Sequence, residues 1–144
     1  MPNSKLLTLL LLLSAIVFSG CDKDKDDPEP TRTDLLAAGT WEGFGIYYAG
    51  QNLTQDFADE GYDIRKYSLR FEKNGYYTEI YDGTSNAGRW EFSSNEQSII
   101  LNKGNPNEIT VNVLKLDTQE LYIDYTVEIS GNEYVLEERF KLKP

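Results

Sequence analysis

Residues 120–143, ELYIDYTVEISGNEYVLEERFKLK, decide the fold of this chain. Apolar and polar residues alternate on both sides of Gly131-Asn132, a two-residue turn signal. Closing that turn brings apolar residues of the two arms opposite one another: Ile129 with Tyr134, Val127 with Leu136, Ile123 with Phe140 and Leu121 with Leu142. The stretch therefore predicts an antiparallel hairpin with one apolar face.

Three more turn signals predict hairpins of the same kind. They are Asn74-Gly75, Asn95-Glu96 and Thr118-Gln119. The predicted pairs are Leu69 with Ile80, Phe71 with Thr78, Arg70 with Glu79, Phe92 with Ile99, Trp90 with Leu101, Leu116 with Leu121 and Leu114 with Ile123. Because four hairpins agree, one apolar face continues from strand to strand.

The β pattern begins at Gly39 and predicts eight strands in all. They are residues 40–48, 66–73, 76–82, 88–93, 98–103, 108–116, 120–129 and 133–143. Most connections are short, and the one long loop is residues 49–65, so we predict an all-β fold: an eight-stranded antiparallel up-and-down barrel. Asp34 is predicted to cap a short N-terminal helix over 35–38 that Gly39 ends.

Composition excludes several chemistries. The 144 residues include no His and one Cys, which excludes a His base or ligand, a Ser-His-Asp triad, a Cys-based zinc site and an intrachain disulfide. The net charge of −10 argues against a nucleic-acid partner. No nucleophile has a visible base, and nothing singles out a catalytic pair among the 24 acidic residues. We therefore predict a non-enzyme without cofactor or metal, and the one catalytic alternative left open is a carboxylate-based hydrolase.

The N-terminus predicts export and lipidation. Lys5 precedes an apolar run at 6–18, which is typical of a secretory signal peptide. Phe18-Ser19-Gly20-Cys21 resembles the bacterial lipoprotein signal, which implies cleavage after residue 20 and acyl chains, palmitate among them, on Cys21. The alternative is an ordinary signal peptide followed by a chance Cys, but the chain's single Cys lies where the signal needs it.

The next residues predict a tether. Residues 22–30, DKDKDDPEP, are charged and contain two prolines, so we divide the chain into a signal peptide (1–20), a lipidated acidic tether (21–33) and a barrel domain (34–144). The tether resembles the acidic export signal of surface lipoproteins of Bacteroidota. That resemblance implies an outer-membrane anchor facing the cell surface; a plain spacer would leave the domain on the periplasmic face.

Gly39-Thr40-Trp41 follows the predicted helix and precedes the long loop. This arrangement resembles the lipocalin-like (calycin) lipoproteins of Bacteroidota over residues 35–144. The resemblance implies a barrel that binds a small apolar or amphipathic ligand. It also implies that Trp41 closes one barrel end beneath a basic residue, for which Arg139 is the candidate, although register places Arg139 on the face opposite Phe140.

A candidate ligand site follows from the hairpin registers. Glu138 is predicted to point inward opposite Tyr125, with Asn112 beside them, so that a buried carboxylate meets polar partners. The candidate ligand-binding residues of the barrel interior are Asn112, Tyr125, Glu138, Tyr67, Trp90 and Phe140. Two alternatives stay open: a purely structural network, and a bulge that turns Glu138 outward.

The other aromatic and acidic residues leave two functions open. We predict Tyr67, Tyr76, Tyr125 and Tyr134 on the inner face, Tyr77, Tyr81 and Tyr122 on the outer face, and a solvated acidic lid (Asp56, Asp59, Glu60, Asp63) rather than a Ca²⁺ site. Phe57 and Tyr62 of that lid either enter the barrel mouth or contact a partner. The alternative to a ligand binder is a barrel filled by Trp41, Trp90, Phe71, Phe92 and Phe140, which contacts a surface protein or glycan.

Overall fold

The computed structural model describes residues 27–143; the predicted signal peptide, Cys21 and the start of the tether lie outside the described residues. Helix α1 is Arg32–Leu36, helix α2 is Thr54–Asp59, and a 3₁₀ turn spans Ile64–Lys66. The strands are β1 (Thr40–Tyr48), β2 (Gln51–Asn52), β3 (Tyr67–Phe71), β4 (Tyr76–Tyr81), β5 (Thr84–Phe92), β6 (Ser98–Leu101), β7 (Ile109–Leu116), β8 (Glu120–Ile129) and β9 (Asn132–Lys143). Within residues 27–143, no helix is long and apolar enough to cross a membrane.

The sheet closes on itself. Strand β1 pairs with β3, each later strand pairs antiparallel with the next, and β9 returns to pair with β1. The two-residue strand β2 pairs only with the last two residues of β1. The predicted eight-stranded antiparallel up-and-down barrel is thus confirmed, and closure leaves no long edge unpaired.

Helix α1 seals one end of the barrel. Its N-cap is Thr31, and Asp34 completes a capping box from within the helix, so the prediction that Asp34 is the N-cap is wrong. The helix starts at Arg32, within the segment assigned to the tether. Leu36 is fully buried, and its carbonyl accepts a 2.8 Å hydrogen bond from Trp41 Nε1.

The register of β3 and β4 differs from the prediction by one residue. The turn is longer than Asn74-Gly75 alone, because Glu72 N donates to the carbonyl of Tyr76 at 2.8 Å and Gly75 adopts a φ of +85°. Leu69 therefore pairs with Glu79, and Phe71 pairs with Tyr77. The shift reverses the faces of β4: Glu79 and Tyr77 turn inward, while Ile80 and Tyr76 become exposed.

The register of β8 and β9 slips by two residues, which preserves the faces. The turn is Ser130-Gly131, with φ values of +53° and +79° that suit a two-residue hairpin, and Ile129 pairs with Asn132. Glu138 therefore lies opposite Ile123 rather than Tyr125. The predicted pairs between β5 and β6, Trp90 with Leu101 and Phe92 with Ile99, are confirmed.

A β-bulge in β7 changes which residues face inward. The pairing shifts between Val113 and Lys115, so Val113 lies opposite Ile123, and Leu114 is 51% exposed. Asn112 then pairs with Asp124 on the outside. The predicted pair of Leu114 with Ile123 is wrong for this reason.

Candidate functional site: a tyrosine and carboxylate cavity

The barrel interior contains a cavity of about 280 Å³ at the end opposite α1. Its polar lining consists of Tyr62, Tyr67, Tyr77, Tyr125, Glu79, Glu138, Asn102 and Asn107. Its apolar lining consists of Leu69, Leu101, Ile109, Val111 and Ile123. The cavity thus combines an apolar wall with two carboxylates and four phenols, a composition suited to an amphipathic small molecule.

Glu138 is the most buried charged residue of the described chain, with 4% of its surface exposed. Strand register places it between Ile46 of β1 and Ile123 of β8. Its Oε1 accepts hydrogen bonds from Tyr125 Oη at 2.8 Å and from Tyr62 Oη at 3.1 Å. Burial raises the pKa of the carboxyl group, and the two phenol donors oppose that rise.

The second oxygen of Glu138 remains open to the cavity. Tyr62 and Tyr125 both donate to Oε1, and no described residue donates a hydrogen bond to Oε2. Arg32 Nε is the one side-chain polar atom of the described residues that is both fully buried and without a hydrogen bond. Because Glu138 Oε2 has no hydrogen bond either, it cannot be fully buried, and the cavity is the space beside it. The carboxylate therefore presents one free acceptor atom to the cavity.

Glu79 is the second carboxylate of the cavity. Its Oε2 accepts a 2.8 Å hydrogen bond from Tyr67 Oη, and its Oε1 lies 3.4 Å from Asn86 Nδ2. The pKa of Tyr67 is raised well above its usual value by burial first, then by the hydrogen bond and charge of Glu79, and to a smaller extent by the charge of Glu138. Tyr67 thus lies within electrostatic reach of both carboxylates.

The phenols beside the carboxylates stay protonated. Burial raises the pKa of Tyr62 and of Tyr125 far above the usual range, and the nearby charge of Glu138 raises both further. Because their hydroxyl protons are held by carboxylates, Tyr62, Tyr67 and Tyr125 offer acceptor oxygens rather than donors to the cavity.

Gly88 makes room for the far wall of the cavity. Asn102 Nδ2 donates to Tyr77 Oη at 3.0 Å. A Cβ atom on Gly88 would lie 2.2 Å from Asn102 Oδ1 and 2.6 Å from Tyr77 Cε1. A glycine is therefore required where Tyr77 and Asn102 approach β5.

The long loop covers the barrel mouth as a tied lid. Ile46 N donates to Thr54 Oγ1 at 3.0 Å, and this bond fixes the start of α2 to β1. At the other end, Tyr62 stacks on Tyr81 with ring centroids 5.4 Å apart, and Tyr81 Oη accepts from Asp63 N at 3.1 Å. Tyr62 thus enters the mouth, which is one of its two predicted roles. The prediction that Tyr81 lies on the outer face is wrong, because Tyr81 packs against this loop.

The acidic residues of the lid face solvent. Asp56, Asp59 and Glu60 are exposed, and Asp63 bonds Arg65. Residues 27–143 contain no group of three or more His, Cys, Asp or Glu placed to hold a metal ion. The lid therefore has the geometry of a solvated acidic surface.

Three of the six predicted ligand residues line this cavity, and three do not. Tyr67, Tyr125 and Glu138 line it. Trp90 and Phe140 lie instead in the aromatic core, where Trp90 packs edge-on against Phe71 and Phe92 and donates from Nε1 to the carbonyl of Glu72 at 2.9 Å. Phe140 is fully buried against Tyr67. Both residues face the barrel interior as predicted, but neither lines this cavity.

Asn112 lies outside the barrel, so its predicted inward placement is wrong. It is exposed, donates to Asp124 Oδ1 at 2.8 Å and accepts from Ser98 Oγ at 3.1 Å. It lines an open groove of about 810 Å³ together with Asp124 and Arg32. We place the site in the smaller interior cavity because the buried carboxylate of Glu138 and the half-buried one of Glu79 lie there, each bonded to a phenol, and not in the groove.

Arg139 does not cover Trp41. Its guanidinium lies on the outer face, 3.7 Å from the ring centroid of Tyr47 and 4.6 Å from that of Tyr122, with Glu137 at 2.5 Å. Trp41 is fully buried, and α1 covers it through Leu36. Trp41 thus lies at the sealed end as the resemblance implies, without the basic residue.

Sequence reasoning missed Glu79, Tyr77 and Asn102. In YYTEIY at 76–81 both faces of the strand carry aromatic rings, so the rings do not show which face is buried. Ile80 led to the prediction that its own face is the inner one, which is the opposite of what the structure shows. The sequence signal for the observed register was Lys73-Asn74-Gly75. A three-residue hairpin turn also ends on a glycine in the left-handed region, so this stretch fits a three-residue turn as well as a two-residue one.

Eight antiparallel strands that close in up-and-down order define a lipocalin-like barrel. The chain is similar to a crystal structure of a DUF4847 family protein from Bacteroides vulgatus ATCC 8482, with a TM-score of 0.50 and 13% identity, over 74% of this chain and 96% of that one. A lipocalin-like protein from Bacteroides uniformis ATCC 8492 matches at a TM-score of 0.47 and 16% identity, over 75% of this chain and 99% of that one.

No protein-family model and no curated protein matches the sequence. At these identities the likeness to solved structures concerns the fold alone. The function must therefore be argued from the residues of the site.

Proposed function

We propose that this protein is a non-catalytic, lipid-anchored lipocalin-like barrel of the outer membrane that binds a small amphipathic molecule in its interior. The observation that supports this proposal is the open Oε2 of Glu138 at the wall of a cavity. A buried carboxylate is costly unless its acceptor sites are used, and a bound ligand would use the free one.

A barrel filled by its own side chains, the alternative to a ligand binder, describes only the half of the interior near α1. Trp41, Phe71, Trp90 and Phe140 fill the end near α1 and leave the cavity at the other end. A hollow end lined by polar groups has no packing role, since an all-apolar filling would stabilise the barrel more. This contrast favours the binder over a purely structural barrel.

A second candidate function is contact with a surface protein or glycan, and one feature favours it. The outer face of β1, β8 and β9 carries a row of aromatic rings and cations, in which Arg139 lies between Tyr47 and Tyr122 and Lys141 lies 4.9 Å from the ring centroid of Phe44. Tyr and Arg are enriched in protein interfaces. Replacing Arg139 with Glu should abolish such a contact without changing the cavity.

Native mass spectrometry tests the binder proposal. The whole lipoprotein is purified from its host, exchanged into lipid nanodiscs and examined for a bound small molecule at equal stoichiometry. Ile123→Phe, which fills the cavity, should lose the adduct, whereas Ile129→Phe, on the exposed end of the same strand, should keep it. An apo mass from the host, repeated after incubation with host small-molecule extract, would contradict the proposal.

Metabolic labelling tests the anchor. We expect Cys21→Ala to lose incorporated palmitate and membrane retention together. Protease treatment of whole cells then distinguishes surface display from the periplasmic face, because only a surface-displayed domain is cleaved while the outer membrane is intact. Retention of the label in Cys21→Ala would exclude lipidation at this residue.

A further inference from the structure

We infer that the ligand of the cavity is a small organic cation, a protonated amine on a compact apolar body, and this inference rests on the proposed function of the cavity as a ligand site. The cavity contains the carboxylates of Glu79 and Glu138, and none of its lining residues is Lys or Arg. An anionic ligand would meet two like charges in a partly desolvated site, whereas a cation would neutralise them.

The hydrogen-bonding capacity of the cavity points the same way. Tyr62, Tyr67 and Tyr125 each donate their one hydroxyl proton to a carboxylate. Beside the carboxylates, what remains toward the cavity is a set of acceptors, namely these three phenol oxygens and the open Oε2 of Glu138. Tyr77 Oη, which accepts from Asn102, keeps a proton to donate elsewhere in the lining. A ligand group that lies beside the carboxylates therefore has to supply donors, and an ammonium group supplies three with a matching charge.

The aromatic lining adds a second attraction for positive charge. Four tyrosines line the cavity, and a tyrosine ring attracts a cation that lies within about 6 Å of its centroid. Hydrogen bonds from the hydroxyl groups to Glu79 and Glu138 hold three of these rings in place. Carboxylates and the rings bonded to them thus create a preorganised cation site within the cavity.

Size and the remaining lining restrict the rest of the ligand. A volume of about 280 Å³ lies just below the usual range for drug-sized molecules. The aliphatic part of the lining includes Leu69, Val111 and Ile123, of which Leu69 pairs with Glu79 and Ile123 pairs with Glu138. The expected ligand therefore carries one charged end and a small aromatic or aliphatic body.

Matched probes test the inference on the whole lipoprotein in phosphatidylcholine nanodiscs, with empty nanodiscs as the control for membrane partition. The probes are phenethylamine, 2-phenylethanol and 3-phenylpropanoate, which share a phenyl body and differ in charge. By calorimetry we expect phenethylamine to bind about tenfold more tightly than the alcohol, and the carboxylate not to bind.

Two variants locate the effect. Glu138→Gln and Glu79→Gln should each weaken amine binding by about tenfold and leave alcohol binding within about twofold. Glu137→Gln is the matched control, because Glu137 neighbours Glu138 on the outer face and pairs with Arg139. Should Glu138→Gln fail to fold, Glu79→Gln carries the same test.

The outcomes separate this inference from the proposed function. Equal binding of amine and alcohol, or tighter binding of the carboxylate, overturns the cation inference and leaves the cavity a ligand site. Binding of none of the three probes overturns it too, and the adduct seen by native mass spectrometry then decides separately whether the cavity takes another kind of molecule.

Discussion

The two ends of this barrel are built from the same alternating strands and differ in the side chains that face the interior. At the end near α1, Trp41, Phe71 and Phe140 fill the interior and are almost fully buried. At the other end, Glu79 and Glu138 point inward, bonded to phenols around a cavity. One end supplies dry packing, and the other holds polar groups that folding alone does not need.

The difference teaches where stability and function lie in this molecule. Close-packed rings contribute the transfer and dispersion energy that holds the barrel together. Buried carboxylates oppose folding unless they are paired, so their presence at one end indicates a use other than packing. Changes at the aromatic end should act on stability, and changes at the polar end should act on binding and pH dependence.

Trp41→Ala should have the largest effect. It removes a fully buried ring and the hydrogen bond to Leu36, so we expect the free energy of unfolding to fall by about 3–5 kcal/mol in denaturant titration. The matched Tyr76→Ala, at an aromatic residue that is 48% exposed, should cost less than about 1 kcal/mol. Equal losses in the two variants would contradict the division of the barrel.

Gly88→Ala should have the second-largest effect on the free energy of unfolding, because it disturbs residues that both pack against β5 and line the cavity. The new methyl group would overlap Asn102 and Tyr77, and we expect a loss of about 1–3 kcal/mol together with weaker ligand binding. Gly83→Ala is the control for a surface glycine, where no atom lies within 4 Å of the added Cβ, although its φ of +83° adds backbone strain. If Gly88→Ala left both quantities unchanged, Tyr77 and Asn102 would not form the wall described.

Glu138→Gln should change how stability depends on pH. Because burial raises the pKa of this carboxyl above its ordinary value of 4.5, the folded state holds a proton that the unfolded state has lost, and stability falls as pH rises through that window. Within the window the slope is about 1.4 kcal/mol per pH unit. The difference between the wild type and Glu138→Gln in unfolding titrations from pH 4 to 8 isolates this contribution.

Exposed carboxyl groups of lowered pKa, such as Asp34 and Asp63, contribute a slope of the opposite sign in both proteins and cancel in that difference. Glu137→Gln, which removes a neighbouring carboxyl group on the outer face, is the control variant for the substitution itself. A constant difference between wild type and Glu138→Gln across the range would show that the Glu138 carboxyl has the same pKa in both states.

Tyr62→Phe should have the smallest effect on stability, and that effect should be confined to the lid. It removes one hydrogen bond to Glu138 and keeps the stack on Tyr81, so the expected loss is about 1 kcal/mol. Amide exchange should become faster in residues 54–63 and stay unchanged at the end near α1. Tyr134→Phe, whose ring packs edge-on against Tyr48 away from Glu138, should leave exchange of the lid unchanged.

The strand alternation was readable from the sequence, and two registers were not. The pattern of β8 and β9 predicted that Glu138 and Tyr125 face inward, and this holds even though the turn is displaced, because a slip of two residues keeps every side chain on its face. In β4 a slip of one residue moved Glu79 and Tyr77 to the interior. The two hairpins differ in their turns. The turn between β3 and β4 is longer than the predicted two residues, whereas the turn between β8 and β9 keeps two residues and lies one position earlier.

Contacts between distant segments lay beyond the sequence. Tyr62 meets Glu138 across 76 positions of the chain, and Asn112 faces outward because a bulge interrupts β7 at Leu114. Neither a long-range hydrogen bond nor a bulge has a local pattern, since both depend on how the closed barrel positions its strands.

Local alternation and turn residues therefore specify an eight-stranded barrel with an aromatic interior, because those forces act between neighbours along the chain. The exposed fraction of a carboxylate, the donors it meets and the space left beside it are set when all eight strands close and one end fills with rings. The barrel is a property of the pattern, whereas the cavity with Glu79 and Glu138 is a property of the packing.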